Sequence, residues 1–500
     1  MPKKQNPDEQ GEGFTDLTAG MMLTASLDEN SQTLKTIFSD DGTLRVREAR
    51  SKCGERFVIA FCDGMIDNTV INVNIVKALL SEEIPRAGDL QNLLEKSIQV
   101  NSFDTASDWT TLADGISYGD TLLLIEDCAE GALLSTKSFA TRSISEPEAE
   151  KILSGPREGF CESVMINLSM LRRKLRNPDL KIKFRQIGAR TKTQVAVCYL
   201  GTLVDKNLLA ELETRLSKID VDGVLDSNYI AEHIRENLLS PFADSGMTER
   251  PDAVAGKMLE GRIAVFCDGS PAVLTLPCLF AEYFQSPEDY YLNSYYSTPA
   301  RWLRMAGFML TVCLPALFIS LEAFQVEMLP AAMLINIAAG LSNVPLPAPL
   351  EAFLMLFVFD LLRETGARIP SYVGQALSIV GALVIGSAAV EANLVSATIT
   401  IMVAVTGICG LLIPRLSAPV LVFRYLLLLL ASFFGIFGLI MGLTVLLIHI
   451  LNLKSLGISQ LFPGKPLTDG VKDTFLRLPW TKQKTRPESL TNDRVRMKMH

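Results

Sequence analysis

Apolar residues are concentrated in one block of this chain. Roughly the first 300 residues mix apolar and polar positions as soluble proteins do, whereas residues 302–451 are almost continuously apolar. A helix that spans a membrane needs about 20 apolar residues, so this block is long enough for several crossings. The pattern predicts a large soluble region followed by a compact membrane region.

The apolar block divides into separate segments of helical length. Residues 326–341 are apolar but short, which favours a re-entrant or buried helix. The last stretch, 419–451, is too long for a single upright helix. We expect the other crossings at about 302–324, 349–363, 374–392 and 395–413.

The side of the membrane on which the C-terminus lies depends on the stretch 419–451. After Leu451 the tail carries ten Lys and Arg residues against four acids, and basic segments favour the cytoplasmic side. A break near Gly435, Gly438 or Gly442 would make the stretch a hairpin and return the tail to the inside. We therefore predict about six crossings with both ends inside.

The soluble front alternates short apolar runs with helical patterns. RFVIAFCDG from Arg56 reads as a strand, and residues 119–139 read as two strands joined by a turn. The fold class is thus two cytoplasmic α/β subdomains followed by an α-helical multi-pass bundle. The predicted regions are a flexible polar tail 1–35, subdomain one 36–145, subdomain two 146–298, a transmembrane domain 299–455 and a basic cytoplasmic tail 456–500.

The string FCDG occurs twice, at residues 61–64 and 266–269. One interpretation is a duplicated functional loop that holds Asp63 and Asp268. The other is that Asp-Gly makes a tight turn after a strand. The turn is the favoured interpretation.

Charge and cysteine content narrow the function classes. The net charge is -8 although the tail is basic, so the soluble front is acidic, which argues against nucleic-acid binding. Residues 1–30 are polar without the apolar run of a signal peptide, so we expect a cytoplasmic front domain. The nine cysteines form no CxxC and most lie in apolar runs, which indicates buried free thiols.

No arrangement of residues typical of an enzyme is present. The three histidines lie in different regions, and HExxH, Walker and GxSxG motifs are missing. We therefore expect no catalytic activity, no cofactor and no metal.

Ionisable residues inside the apolar block are few. A charge at a lipid-facing helix centre costs about 3 kcal/mol on insertion scales, so these residues should face protein, water or the interface. For Arg363, Glu364 and Arg368 a structural role is favoured, whereas Glu351 and Asp360 lie deeper. For those two, an ion path and interhelical contacts remain equal alternatives.

Two other features suggest contacts between subunits. Gly381 and Gly386 lie in a stretch of small residues, which permits close helix approach. Arg172 and Arg173 lie in LRRKLR, a basic helix face that faces either solvent or a partner.

Several strings resemble the A-subunit family of bacterial spore germinant receptors over about residues 155–480. The order and spacing of these strings carry the resemblance, together with the soluble-then-membrane layout. They are GPREGFCES (155–163), LRRKLRNPDLK (171–181), IDVDGVLDSNYI (219–230), TERPDAVAGKMLEGRIAVFCDGSP (248–271), FQSPEDYY (284–291), LLRETGARIPSYVGQALSIVGALVIGSAAVEANLVS (361–396) and KDTFLRLPW (472–480).

The resemblance implies a subunit of a nutrient germinant receptor in the spore inner membrane. A subunits of this kind are expected to form homo-oligomeric, nutrient-gated cation channels with a transporter-like B subunit and a lipoprotein C subunit. The pore or gating candidates are then Glu351, Asp360, Glu327, Val344 and Pro345. The alternative is a membrane-anchored scaffold that conducts no ions. A secondary transporter is disfavoured because no inverted repeat is visible.

Overall fold

The computed structural model describes most of the chain. The described residues are Thr18, 20–52, 54–81, 90–138, 150, 152, 154–331, 334–335, 344–368, 386–461, 471–483, 486 and 490–491. The expected boundary at 145/146 and candidate Gly381 lie outside them, as does most of the expected 374–392 crossing.

The first soluble unit is a five-stranded antiparallel sheet covered on both faces. Its strands are β1 (Leu44–Arg50), β2 (Arg56–Cys62), β3 (Phe103–Ala106), β4 (Thr121–Ile125) and β5 (Gly131–Leu134). Its helices are α1 (Leu27–Ile37), a π-helical segment Val70–Val76 that continues into α2 (Lys77–Ser81), α3 (Leu90–Lys96) and α4 (Trp109–Tyr118).

The apolar run of β2 is explained by burial on both faces. Phe57 and Ile59 point to the core beneath the π-helical segment and α3, whereas Val58 and Ala60 point to the core beneath α1 and α4. Successive side chains of a strand face opposite sides, so a doubly covered strand is apolar throughout. Helix α1 is part of this core, which corrects the prediction of a flexible tail to residue 35.

The second soluble unit repeats this plan. Its strands are β6 (Leu180–Ile187), β7 (Thr193–Leu200), β8 (Gly246–Thr248), β9 (Ile263–Cys267) and β10 (Val273–Leu276). Its helices are α5 (Val164–Lys174), α6 (Lys206–Ser217), α7 (Ser227–Ile234) and α8 (Pro251–Met258). Helices α5 and α8 cover one face of the sheet, and α6 and α7 cover the other.

Both sheets have the same strand order. Numbered within its own unit, each sheet runs 1-2-4-5-3. The two FCDG strings are not equivalent in this plan, because the first ends the second strand of its sheet and the second ends the fourth. Gly64 and Gly269 have φ of 83° and 89°, the left-handed conformation of a tight turn. These positions support the turn interpretation over a duplicated loop.

The C-terminal half is helical. Its main helices are α9 (Ser294–Ala323), α10 (Ala348–Arg368), α11 (Ala397–Leu411) and α12 (Ser417–Leu451). By length and hydropathy, two of the described helical stretches are candidate membrane spans, Ser294–Ala323 and Pro414–Leu451. The described residues therefore do not bear out the expected number of about six membrane crossings. Helix α10 carries five charged residues and α11 is only 15 residues long.

Helix α12 is a hairpin of two arms. Gly435 has φ 59° and ψ -140°, which interrupts the helix. A Cβ atom on Gly442 would clash with the side chain of Leu427, although 15 residues of straight helix would separate them by about 22 Å. The second arm therefore folds back on the first, which confirms the predicted break near Gly435.

The chain returns from the hairpin to the second soluble unit. Strands β11 (Lys454–Ser455) and β12 (Ile458–Ser459) follow the hairpin, and Leu456 is buried in the core of the second sheet. The Ser455 hydroxyl donates to the Asp244 carbonyl at 2.5 Å and accepts from the Cys278 amide at 3.0 Å. A short helix, α13 (Val471–Thr474), begins the next described stretch of the tail.

Candidate functional site

Two carboxyl groups lie buried together where α9 ends and α10 begins. Glu351 is fully buried, and its Oε1 accepts a hydrogen bond from the Ser396 amide at the start of α11. Glu322 is also buried and lies within electrostatic range of Glu351. Among the described residues, neither oxygen of Glu322 nor Oε2 of Glu351 has a hydrogen-bond partner. A buried polar group without a partner is costly, which marks the Glu322–Glu351 pair as a candidate site.

Asp360 has a different environment from Glu351. Its Oδ2 binds the guanidinium of Arg424 and accepts a hydrogen bond from the Tyr425 hydroxyl at 2.8 Å. These contacts join α10 to the first arm of the hairpin. Asp360 is therefore paired with a cation, whereas Glu351 lies within electrostatic range of Glu322.

The other proposed pore residues lie near the surface of this chain. Glu327 occupies an exposed turn, Val326–Met328, after α9. Val344 is half-buried and Pro345 exposed, both ahead of α10. In a single copy of the chain these three residues are therefore not part of the buried Glu322–Glu351 pair.

The prediction that Arg172 contacts another subunit is wrong. Arg172 is 1% exposed, and its guanidinium donates to Asp41 at 2.7 Å and to Thr43 at 3.0 Å within the same chain. Helix α5 lies where the two soluble units meet, so the arginine joins the units and is not available to a second copy. Arg173 is partly exposed and lies 3.4 Å from Glu158.

Gly386 faces α11 of the same chain. A Cβ atom on this glycine would lie 3.9 Å from Cγ2 of Thr400 in α11, which is ordinary contact. The glycine is half-buried. Nothing in this geometry singles it out as a contact between subunits.

A second buried cluster connects the soluble region to the helices. Asp289 is buried, and its carboxylate accepts from the guanidinium of Arg301 at 3.1 Å and from that of Arg304 at 2.8 Å. Both arginines lie in the first turns of α9. Asp473 of the tail binds Arg301 from the other side, and we call these four residues the junction cluster. Asp289 lies within the string FQSPEDYY that carries the family resemblance, but the sequence did not indicate its pairing with the arginines.

Burial changes the proton affinity of groups at this junction. The Tyr290 hydroxyl donates to Asp473 at 2.8 Å, and burial raises the pKa of Tyr290 well above its usual value. Burial also raises the pKa of Asp473, although nearby Arg301 opposes the shift. Burial therefore favours the neutral form of both groups.

A cavity of about 390 Å³ adjoins the junction cluster. Its walls come from α8 and the loop that follows it, the segment that leads into α9, the turn between α11 and α12, and the tail. Residues of these walls include Asp252, Arg262, Tyr291, Arg415 and Trp480. Within the described residues no group of three or more His, Cys, Asp or Glu side chains is placed to hold a metal ion.

Comparisons with known proteins agree on one protein family. The model of the Bacillus/Clostridium GerA spore germination protein family matches residues 32–489. Spore germination protein KA of Bacillus subtilis (strain 168) is 36% identical over 485 residues, which cover 95% of this chain and 89% of that protein. Spore germination protein GerLA of Bacillus cereus is 33% identical over 474 residues, with coverages of 94% and 96%.

A solved structure also matches the soluble region. It is the N-terminal domain of the A subunit of the Bacillus megaterium spore germinant receptor GerK3, with 28% sequence identity and a TM-score of 0.43. The match covers 52% of this chain and 98% of that one.

Proposed function

This chain belongs to the Bacillus/Clostridium GerA family of spore germination proteins, and we propose that it is the A subunit of a nutrient germinant receptor. In this proposal several copies assemble into a cation channel in the spore inner membrane, and nutrient binding to the receptor opens it. Its partners are a transporter-like B subunit and a lipoprotein C subunit. The chain carries out no catalysis.

The observation that supports ion conduction is the Glu322–Glu351 pair. Two carboxyl groups without cationic partners are expensive inside an apolar bundle and are retained where a cation or a proton passes. In the described residues, Asp360 has Arg424 to neutralise it, but no such partner is placed at Glu322 or Glu351. Cation entry near this pair would supply the missing positive charge.

The hairpin supports a multi-pass arrangement with both ends in the cytoplasm. Its two arms meet at Gly435, and the chain after Leu451 re-enters the core of the second soluble unit. Each arm is about 17 residues, or about 26 Å, close to the thickness of the hydrocarbon core. The soluble units and the basic tail then share one face of the membrane, in agreement with the positive-inside tendency.

A membrane-anchored scaffold is the second candidate. The junction cluster favours it, because a soluble region fastened to its helices at several points suits the assembly of a complex. In this alternative the buried acids hold helices together, and ion flow occurs elsewhere in the receptor.

Potassium efflux from liposomes separates the two candidates. The full chain is reconstituted with and without its B and C partners, and efflux is recorded before and after nutrient addition. A channel predicts nutrient-dependent efflux that falls at least tenfold in Glu351→Gln and in Glu322→Gln. The matched control is Glu364→Gln, whose exposed carboxylate pairs with Arg368 on the surface of α10.

Each outcome favours one candidate. Wild-type efflux in both buried-acid variants would show that these residues are not on the ion path. No efflux from any combination, with insertion verified, together with a germination defect in spores that lack the chain, would favour the scaffold.

A further inference from the structure

Two consecutive leucines of the second soluble unit are almost fully exposed. Leu238 is 76% exposed and Leu239 is 95% exposed, both in the turn that follows α7. A single exposed leucine is common on protein surfaces. Two exposed leucines at the tip of one turn form an apolar surface patch, which suggests a binding partner.

The turn holds these leucines in a defined position. The Leu239 amide donates to Oδ1 of Asn237 at 3.1 Å, which closes the turn. Behind it, the guanidinium of Arg235 donates to the carbonyls of Ser240 at 2.8 Å and Phe242 at 2.6 Å. The backbone is therefore ordered, and the leucines project from it.

The same turn is fastened to the end of the hairpin. The Ser240 hydroxyl is hydrogen-bonded to Nε2 of His449 at 2.9 Å. The Phe242 ring is buried against the rings of Phe423 and His449, with centroids 5.8 Å apart in each case. His449 lies in the last turn of α12, so these contacts place the leucines level with the end of the second arm.

The surface of that arm is apolar on its outer side. Leu447, Ile448 and Leu451 are all exposed there, as expected of side chains that face lipid. We propose that Leu238 and Leu239 insert into the membrane leaflet that faces the soluble region, beside the end of α12. The contacts of Ser240 and Phe242 with His449 set the leucine turn at the end of this apolar arm, and this position is the reason for taking lipid as the partner. The inference depends on the membrane location stated under Proposed function but not on ion conduction.

Insertion would give the second soluble unit a membrane contact of its own. The unit is then held at a fixed height above the membrane by the leucine turn as well as by the junction cluster. A tilt of this unit would have to withdraw the leucines from lipid or move the hairpin with it.

Quenching of tryptophan fluorescence by brominated lipids tests the insertion. Three variants of the full chain are reconstituted in bilayers with brominated acyl chains, and wild-type emission is subtracted. Leu239→Trp is the test. Phe437→Trp, exposed near the hairpin tip, reports membrane insertion, and Leu225→Trp is the soluble control. Leu225 precedes α7, about 12 Å of helix away from the leucine turn.

We expect strong quenching at positions 437 and 239 and none at 225. Quenching at 437 without quenching at 239 would overturn the inference and leave the membrane location intact. A blue-shifted emission at 239 that brominated lipid does not quench would show a protein partner, which also overturns it. Absence of quenching at 437 would refute the membrane location and the inference with it.

Discussion

Arg301 of α9 binds Asp473 of the tail across 172 residues of sequence. One guanidinium nitrogen donates both to the backbone carbonyl of Asp473, at 2.5 Å, and to its carboxylate, at 3.1 Å. Nε of the same side chain donates to Asp289 at 3.1 Å. The arginine is fully buried, so α9 cannot shift against the soluble region and tail without breaking these bonds or moving both.

Asp289→Asn should lower the stability of the chain strongly. The substitution leaves the charges of Arg301 and Arg304 without their shared carboxylate, and loss of one partner from a buried pair costs about 3–5 kcal/mol. Thermal unfolding in detergent measures the effect. Glu288→Gln, at the adjacent and less buried position, should change the free energy of unfolding by less than about 0.5 kcal/mol. Equal midpoints for the two variants would contradict a stabilising role for Asp289.

Arg172→Met should separate the two soluble units. It removes the guanidinium that binds Asp41 and leaves that carboxylate buried without its cation, a loss of about 3–5 kcal/mol. Limited proteolysis should then release the first sheet unit faster than in wild type. Arg173→Ala is the matched control, because its partly exposed pair with Glu158 is worth about 0–1 kcal/mol. Similar cleavage rates for both variants would refute the assignment of Arg172 to the contact between units.

Gly435→Ala should strain the hairpin. Its φ of 59° with ψ of -140° is a region that L-residues avoid, and a Cβ atom there would lie 2.8 Å from Phe324 Cγ. A residue held in such a conformation costs about 1–3 kcal/mol, which should lower the melting temperature in detergent. Gly410→Ala is the comparison, since its Cβ would meet Thr311 at an ordinary 3.5 Å. A melting temperature unchanged by Gly435→Ala would show that the break tolerates a side chain.

Local patterns predicted local elements well. The continuous apolar run at 57–62 is β2, and residues 119–139 contain β4 and β5 joined by a turn, as predicted. At the start of α6, Asp205 is a residue type that favours helix caps, and it accepts a hydrogen bond from the Asn207 amide at 2.8 Å. Periodicity and capping act over a few residues, so a sequence reports them directly.

Contacts between distant segments could not be predicted. Asp360 was considered as a pore acid, yet Arg424, 64 residues later, pairs with it. Nothing in the sequence singles out Glu322 among the acids of the apolar block, and only packing of the helix ends brings it within electrostatic range of Glu351. Such pairings depend on helix arrangement, which hydropathy does not encode. The prediction of an exposed basic face at Arg172 was wrong for the same reason, because Arg172 pairs with the distant residue Asp41.

The stability of the second soluble unit should fall as the pH falls from about 5 towards 2, in part through Glu282. Burial alone would raise its pKa, but Arg262 and Lys257 outweigh burial and lower the pKa of Glu282 to about 2. A carboxyl group whose pKa is lower in the folded state stabilises that state above its unfolded pKa and loses this contribution as it becomes protonated. The contribution is about 3 kcal/mol at neutral pH.

Denaturant midpoints measured from pH 7 to pH 2 test this linkage. Glu282→Gln should be less stable than wild type at pH 7, because Arg262 and Lys257 lose their shared carboxylate. Its midpoint should also fall less steeply between pH 5 and pH 2, so that the two proteins converge in acid. Glu288→Gln should follow the wild-type curve throughout. Parallel curves for wild type and Glu282→Gln would show that protonation of this buried carboxyl does not control acid stability.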